Sequence, residues 1–132
     1  MASPQYRAFL LNPGLEPPAL QEAVRRAKAT LPGFSARQSG TWFVFEMGGW
    51  SLTVAVSNAP HVLEESSELA RRHPEWPQAR QIAACASRIE VWSSPGAADP
   101  EMEHLNDYIL VVEALQSFPG VIAYDPARDQ LI

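Results

Sequence analysis

The sequence predicts an α+β fold, a mainly antiparallel sheet of five or six strands with helices packed on one face. Three observations carry that prediction. Gly48-Gly49 separates two alternating apolar runs, which is the pattern of a hairpin with a two-residue loop. The strand-like runs are grouped in the middle of the chain with helical patterns around them, in the order β-α-β-β-β-α-α-β-α-β, and do not alternate regularly as in a doubly wound sheet. The chain has 132 residues with no repeat, low-complexity tract or long linker, so residues 1–132 form a single domain able to bury a core.

Each element has its own warrant. Gln5 to Leu11 reads as a first strand, closed by the turn Asn12-Pro13-Gly14. Pro17-Pro18 opens a helix that runs to about Thr30, with Leu20, Val24, Ala27 and Leu31 as its apolar stripe. Pro32-Gly33 stops it, and Phe34 to Gln38 forms a weaker strand. Between Thr41 and Ser57 the two-residue loop sets the register. Met47 faces Trp50, Phe45 faces Leu52, Phe43 faces Val54 and Thr41 faces Val56, all on one apolar face. The other face pairs Glu46 with Ser51, Val44 with Thr53 and Trp42 with Ala55, a mixed set expected to stay at least partly open.

Asn58-Ala59-Pro60 begins a helix through about Arg72, with Asn58 as its cap. His73-Pro74-Glu75-Trp76-Pro77 breaks it, because a residue before proline avoids the helical region. A short helix from Pro77 to Ser87 and a strand from Arg88 to Trp92 follow. Ser93 to Ala98 is a loop. Asp99 then caps a helix with Pro100 at its first position, and Met102, Leu105, Tyr108, Ile109, Val112 and Leu115 face the core. Val111 widens that stripe, and Leu110 falls on the opposite, polar side. Pro119-Gly120 ends the helix, and Val121 to Tyr124 is a brief closing strand.

Net charge is −5 and pI about 5.1. Residues 1–40 balance at +3 and residues 41–132 at −8. No Lys or Arg occurs between Arg88 and Arg128, whereas Glu90, Asp99, Glu101, Glu103, Asp107, Glu113 and Asp125 all do. An acidic chain lacks the basic footprint that phosphates require, so nucleic acid is not an expected partner. It suits a basic protein partner instead. No apolar run approaches a membrane span, and the first residues lack the basic-then-apolar pattern of a secretory signal. With a single cysteine there is neither an internal disulfide nor zinc-site spacing. Together these favour the cytoplasm.

No motif in the chain names a reaction. Cys85 sits among alanines and reads as a small core residue. His61, His73 and His104 are widely spaced and form no metal-ligand motif, so no metal is expected. The carboxylates of Glu64, Glu65 and Glu68, and those of Asp99, Glu101 and Glu103, share helical regions with nothing to set their environments apart. There is no phosphate-binding glycine loop and no nucleophile elbow, so neither a cofactor nor a catalytic residue is expected and the chain is not read as an enzyme. The four tryptophans stand out, and interfaces use tryptophan disproportionately. Trp42 on the open sheet face and Trp76 in the proline-bounded loop are therefore candidate anchors.

Two segments resemble a known kind of protein. One is GTWFVFEMGGWSLTVAVSNAP at 40–60. The other is RIEVWSSPGAADPEMEHLNDYILVVEALQSFPGVIAYDP at 88–126, with its D-P-x-M-x-x-x-N-D-Y core at Asp99 to Tyr108 and its F-P-G-V…D-P close at Phe118 to Pro126. Together they cover a little under half the chain. They resemble small bacterial α+β immunity proteins, the partners of secreted or polymorphic toxins. The resemblance implies a non-enzymatic protein that binds a cognate toxin in the producing cell and blocks it. It supplies no fixed binding residues, because such interfaces diversify with their toxins.

Two function classes are therefore carried forward. The first is an immunity or inhibitor protein that docks a basic toxin through Glu64, Glu65, Glu68, Glu103 and Asp107, with Leu110, Trp42 and Trp76 as apolar contacts. The second is a small enzyme or ligand-binding domain with a pocket on the sheet's open face. A scaffold subunit that forms a homodimer through Trp42 and Val44 is a third option.

Overall fold

The computed structural model describes residues 5–93, 99 and 101–132. The described residues form β1 (Arg7–Leu11), α1 (Pro17–Ala29), β2 (Ser35–Ser39), β3 (Trp42–Met47), β4 (Trp50–Ser57), α2 (Pro60–Arg72), α3 (Ala79–Ala83), β5 (Arg88–Ser93), α4 (Leu105–Gln116), β6 (Ile122–Asp125) and β7 (Gln130–Leu131). The expected α+β class and element order hold, with β7 added at the end. The strands make one open sheet of seven, in the order β2-β3-β4-β5-β1-β6-β7, and every neighbouring pair is antiparallel. The strand count therefore exceeds the expected five or six.

The hairpin register is the expected one. Met47 pairs with Trp50, Phe45 with Leu52, Phe43 with Val54, and Trp42 with Ala55. Both loop glycines lie at positive φ, +56° at Gly48 and +81° at Gly49, as a two-residue loop matched to strand twist requires. Thr41 extends the pairing beyond β3 by accepting a 3.0 Å bond from the Val56 amide.

The apolar face built by this register carries the main core. Ala8 and Leu10 of β1, Phe43 and Phe45 of β3, Leu52 and Val54 of β4, and Val91 of β5 meet Leu20 and Val24 of α1 and Val111, Val112 and Leu115 of α4. The alternate residues of β1, Phe9 and Leu11, point to the other face. There they join Tyr124 of β6, Leu69 of α2, Ile82 of α3 and Cys85 in a second, smaller cluster. Helices α1 and α4 thus cover one face as expected, while α2 and α3 cover part of the other.

Several local expectations are corrected. Asn58 makes no capping bond; Ala59 precedes α2, and its amide bonds weakly to the Ser57 hydroxyl at 3.4 Å. The short helix after Pro77 spans only Ala79–Ala83. Helix α4 begins at Leu105, later than Pro100, because the residues before it turn in another way. Met102 sits at φ +58°, a left-handed position that ends any helical path there, and its side chain is 51% exposed. Ile109, expected inward, faces outward. The expected loop at 94–98 and the helical position of Pro100 lie outside the described residues.

Candidate functional site

Asp99 anchors the approach to α4. Its buried carboxylate accepts the Tyr6 hydroxyl at 2.7 Å and the backbone amides of Glu103 at 2.9 Å and His104 at 2.8 Å. The Gln5 side chain accepts the Asp99 amide at 2.8 Å and donates to its carbonyl. Burial alone would raise the pKa of Asp99. The Tyr6 hydroxyl and the amides of His104 and Glu103 outweigh it and hold the group below the ordinary carboxylate value. The same contact, after burial, pushes the Tyr6 phenol up to about 12.

Aromatic stacking completes the anchor. The His104 ring lies flat on Trp50 at 4.7 Å between centroids, and Tyr6 stacks on Tyr108 at 4.9 Å while meeting Trp50 edge-on at 5.8 Å. Asp107 accepts from, or pairs with, His104 Nδ1 at 2.9 Å. Gln5 and Tyr6, just ahead of β1, and Trp50 of β4 therefore fix the start of α4, and the titratable groups of this cluster are taken up in holding it.

What α4 then presents outward is a stripe of Asn106, Ile109, Leu110 and Glu113, spaced at helical intervals. Ile109 is 39% exposed and Leu110 47%. Glu101 and Glu103 lie exposed just before the helix. Asp107 belongs to the anchor more than to this surface.

The other expected docking residues lie elsewhere. Glu64, Glu65 and Glu68 are exposed on α2, which packs on the opposite face of the sheet from α4. Glu65 accepts from Arg88 at 2.8 Å, and Glu68 is paired with Arg71. The five carboxylates thus form two separate surfaces. Trp42 is 52% exposed and meets Trp92 edge-on at 5.3 Å on the sheet face beyond α2. Trp76 is half-buried, stacked on His73 at 3.9 Å and packed toward Tyr124 at the margin of the second cluster.

A pocket lies between α2 and the second face of the sheet, the face expected to stay partly open. Its volume is about 280 Å³, with Phe9, Leu11, Leu69 and Tyr124 for apolar walls and Arg7, Arg72 and Arg88 around it. Arg88 is buried, lies over the Phe9 ring at 3.9 Å, and donates at 2.8 Å to both Glu65 and Glu90. Arg72 is held at 2.8 Å by Asp129, which also accepts from the Tyr124 hydroxyl at 2.5 Å. The sequence signal was Arg88, a charge that opens β5 ahead of Ile89, Val91 and Trp92. The pairing of β1 with β5 and the packing of α2 bring the rest together.

Cys85 is buried as expected, and burial pushes its thiol up to about 11. Among the described residues no group of three or more His, Cys, Asp or Glu is placed to hold a metal ion, and no helix is long and apolar enough to cross a membrane. No family model, curated protein or solved structure matches the chain.

Proposed function

We propose that this chain is a non-enzymatic binding protein that neutralises a protein partner docked on the outer face of α4. The observation that carries the reading is the pair Ile109 and Leu110, 39% and 47% exposed in the middle of a helix that is otherwise well packed. Apolar side chains ringed by carboxylates have the composition of an interface centre with a charged rim. Glu113 on the helix and Glu101 and Glu103 just before it supply that rim, and no Lys or Arg occurs from residue 89 to 127. A partner with basic residues around an apolar depression fits this surface. The resemblance to bacterial immunity proteins makes that partner a toxin, bound in the cell that produces it.

Reversing Asp107 would disturb the His104 contact, so the charge test belongs at Glu103 and Glu113. With this chain as bait in lysate of its native host, one stoichiometric partner is expected, toxic when expressed alone and harmless when co-expressed. Leu110→Asp should weaken that complex by about a hundredfold, as loss of a central apolar contact does, and leave the melting temperature nearly unchanged. Recovery of no partner, or a complex indifferent to Leu110→Asp and to Glu103→Lys with Glu113→Lys, would reject α4 as the docking face.

A further inference from the structure

Strand β2 ends the sheet, four strands from β1, whereas α4 packs on α1 and β1. Its one neighbour is β3, and no strand among the described residues pairs with its outer edge. All five residues of Ser35–Ser39 are exposed. Alternate residues of such an edge turn an amide and a carbonyl to solvent, a template for a further strand. The opposite edge is β7, whose two residues are too short to act that way. Two further observations bear on what β2 takes. On one face of the sheet, Ser39 pairs with Trp42 and Arg37 with Val44; Ser39 is small, and Trp42 beside it is 52% exposed. Arg37, Gln38, Ser39, Trp42 and Val44 line an open cavity of about 560 Å³. On the other face, α1 lays Arg25 against Gln38 at 3.4 Å, and Lys28 follows one turn later. Glu22 answers Arg25 and Arg26, Glu46 answers Arg37, and Lys28 has no ion-pair partner among the described residues. Four cations thus stand against two carboxylates at this edge, in a chain whose net charge is −5.

We infer that β2 takes up an extended segment of a partner protein as a further strand, with apolar side chains toward Trp42 and Val44 and acidic ones toward Arg25 and Lys28. The alternation follows from the pleat. Successive side chains of an added strand fall on opposite faces, one carrying Trp42 and Val44, the other lying under α1. The sign follows from the excess of cations, which favours carboxylates and opposes a basic segment. A second copy of this chain is not the occupant. Pairing β2 with its own copy about a two-fold axis would bring Arg37 near Arg37, and the basic side of α1 near its own copy. Like charges facing each other across strands are destabilising. The inference holds whether or not α4 docks a partner.

The probe is the peptide Glu-Val-Glu-Val-Glu-Val-Glu, acetylated and amidated at its ends and titrated into the full chain. Saturable shifts are expected at the backbone amides of 35–39 and the indole N–H of Trp42, with slowed hydrogen exchange at alternate amides of β2. The peptide with every Glu replaced by Lys should not bind. Glu-Glu-Val-Val-Val-Glu-Glu, of the same composition without the alternation, should bind several-fold more weakly. Methylating the backbone nitrogens of the valines, or instead those of the glutamates, separates strand pairing from charge attraction alone. Alternate residues of a strand turn their N–H groups to opposite edges, so one methylated peptide should lose binding and the other keep it. Trp42→Ser, and Arg25→Gln with Lys28→Gln, should each weaken the parent peptide about tenfold, as loss of an anchor or of charge contacts does. These side chains are all at least partly exposed, so the variants should fold with melting temperatures close to the parent's. No saturable shift up to about 5 mM peptide would overturn the inference. Equal binding of the lysine or reordered peptide, the same result with both methylated peptides, affinity unchanged in both variants, or self-association of the chain through β2 would do the same.

Discussion

At the scale of single residues, Asp99 decides where the most distinctive segment of the chain goes. One carboxylate satisfies a phenol and two amides, and those bonds favour its ionised form. Its folded pKa lies below the unfolded value of about 3.9. The stability it contributes is therefore present above that unfolded value and lost as pH falls through the depressed folded value. Asp99→Asn should be less stable than the parent at pH 7, and the gap in urea midpoint should narrow as both are titrated below about pH 4. A gap that stays constant to pH 2 would show that shape, not charge, holds the segment. Cys85 offers a second test. With its thiol near pKa 11 and its side chain buried, it should resist a disulfide reagent at pH 8 in native protein and react once urea unfolds the chain.

At the scale of elements, the hairpin was legible and the start of α4 was not, for physical reasons. A two-residue loop between alternating strands admits one register, so Gly48-Gly49 and the apolar alternation of β3 and β4 fixed each cross-strand pair in advance. Asp99 was correctly read as an acceptor of free amides. Its reach to Glu103 and His104, with Met102 left-handed between them, is not a local propensity; it depends on Tyr6 and Gln5 from the far end of the chain. Two-residue β7 exists only because β6 offers it an edge. The lining of the pocket was illegible for the same reason, since Arg7, Leu69 and Arg88 come together only through the pairing of β1 with β5 and the packing of α2. A methyl group at Gly49 would touch nothing within 4 Å, so the cost of Gly49→Ala is conformational, roughly 1–2 kcal/mol. Gly48→Asn should cost less than half of that, because Asn tolerates positive φ. Urea unfolding with an unchanged slope is the measurement. Equal losses at both sites would argue against two left-handed loop residues.

At the scale of the whole molecule, charge is arranged in layers, which bears on how a partner approaches. Helices α1 and α4 pack together on one face of the sheet. Helix α1 carries Arg25, Arg26 and Lys28 against Glu22, whereas α4 and the turn before it carry only carboxylates and His104. The layer that contains the proposed docking face is thus bipolar, basic on one helix and acidic on the other, although the net charge is −5. A basic partner drawn to α4 is attracted by Glu101, Glu103 and Glu113 and repelled by its neighbour. Charge complementarity acts mainly on the association rate and fades with salt over a Debye length of about 8–10 Å. Glu103→Lys with Glu113→Lys should therefore slow association several-fold at low salt and little at 0.5 M. Arg26→Glu with Lys28→Glu removes the repulsive side and should speed it. Stopped-flow mixing of the purified pair across a salt series separates the cases. If the α1 reversal instead slows association, the partner itself presents a bipolar surface and docks across both helices, and the footprint must be extended from α4 onto α1.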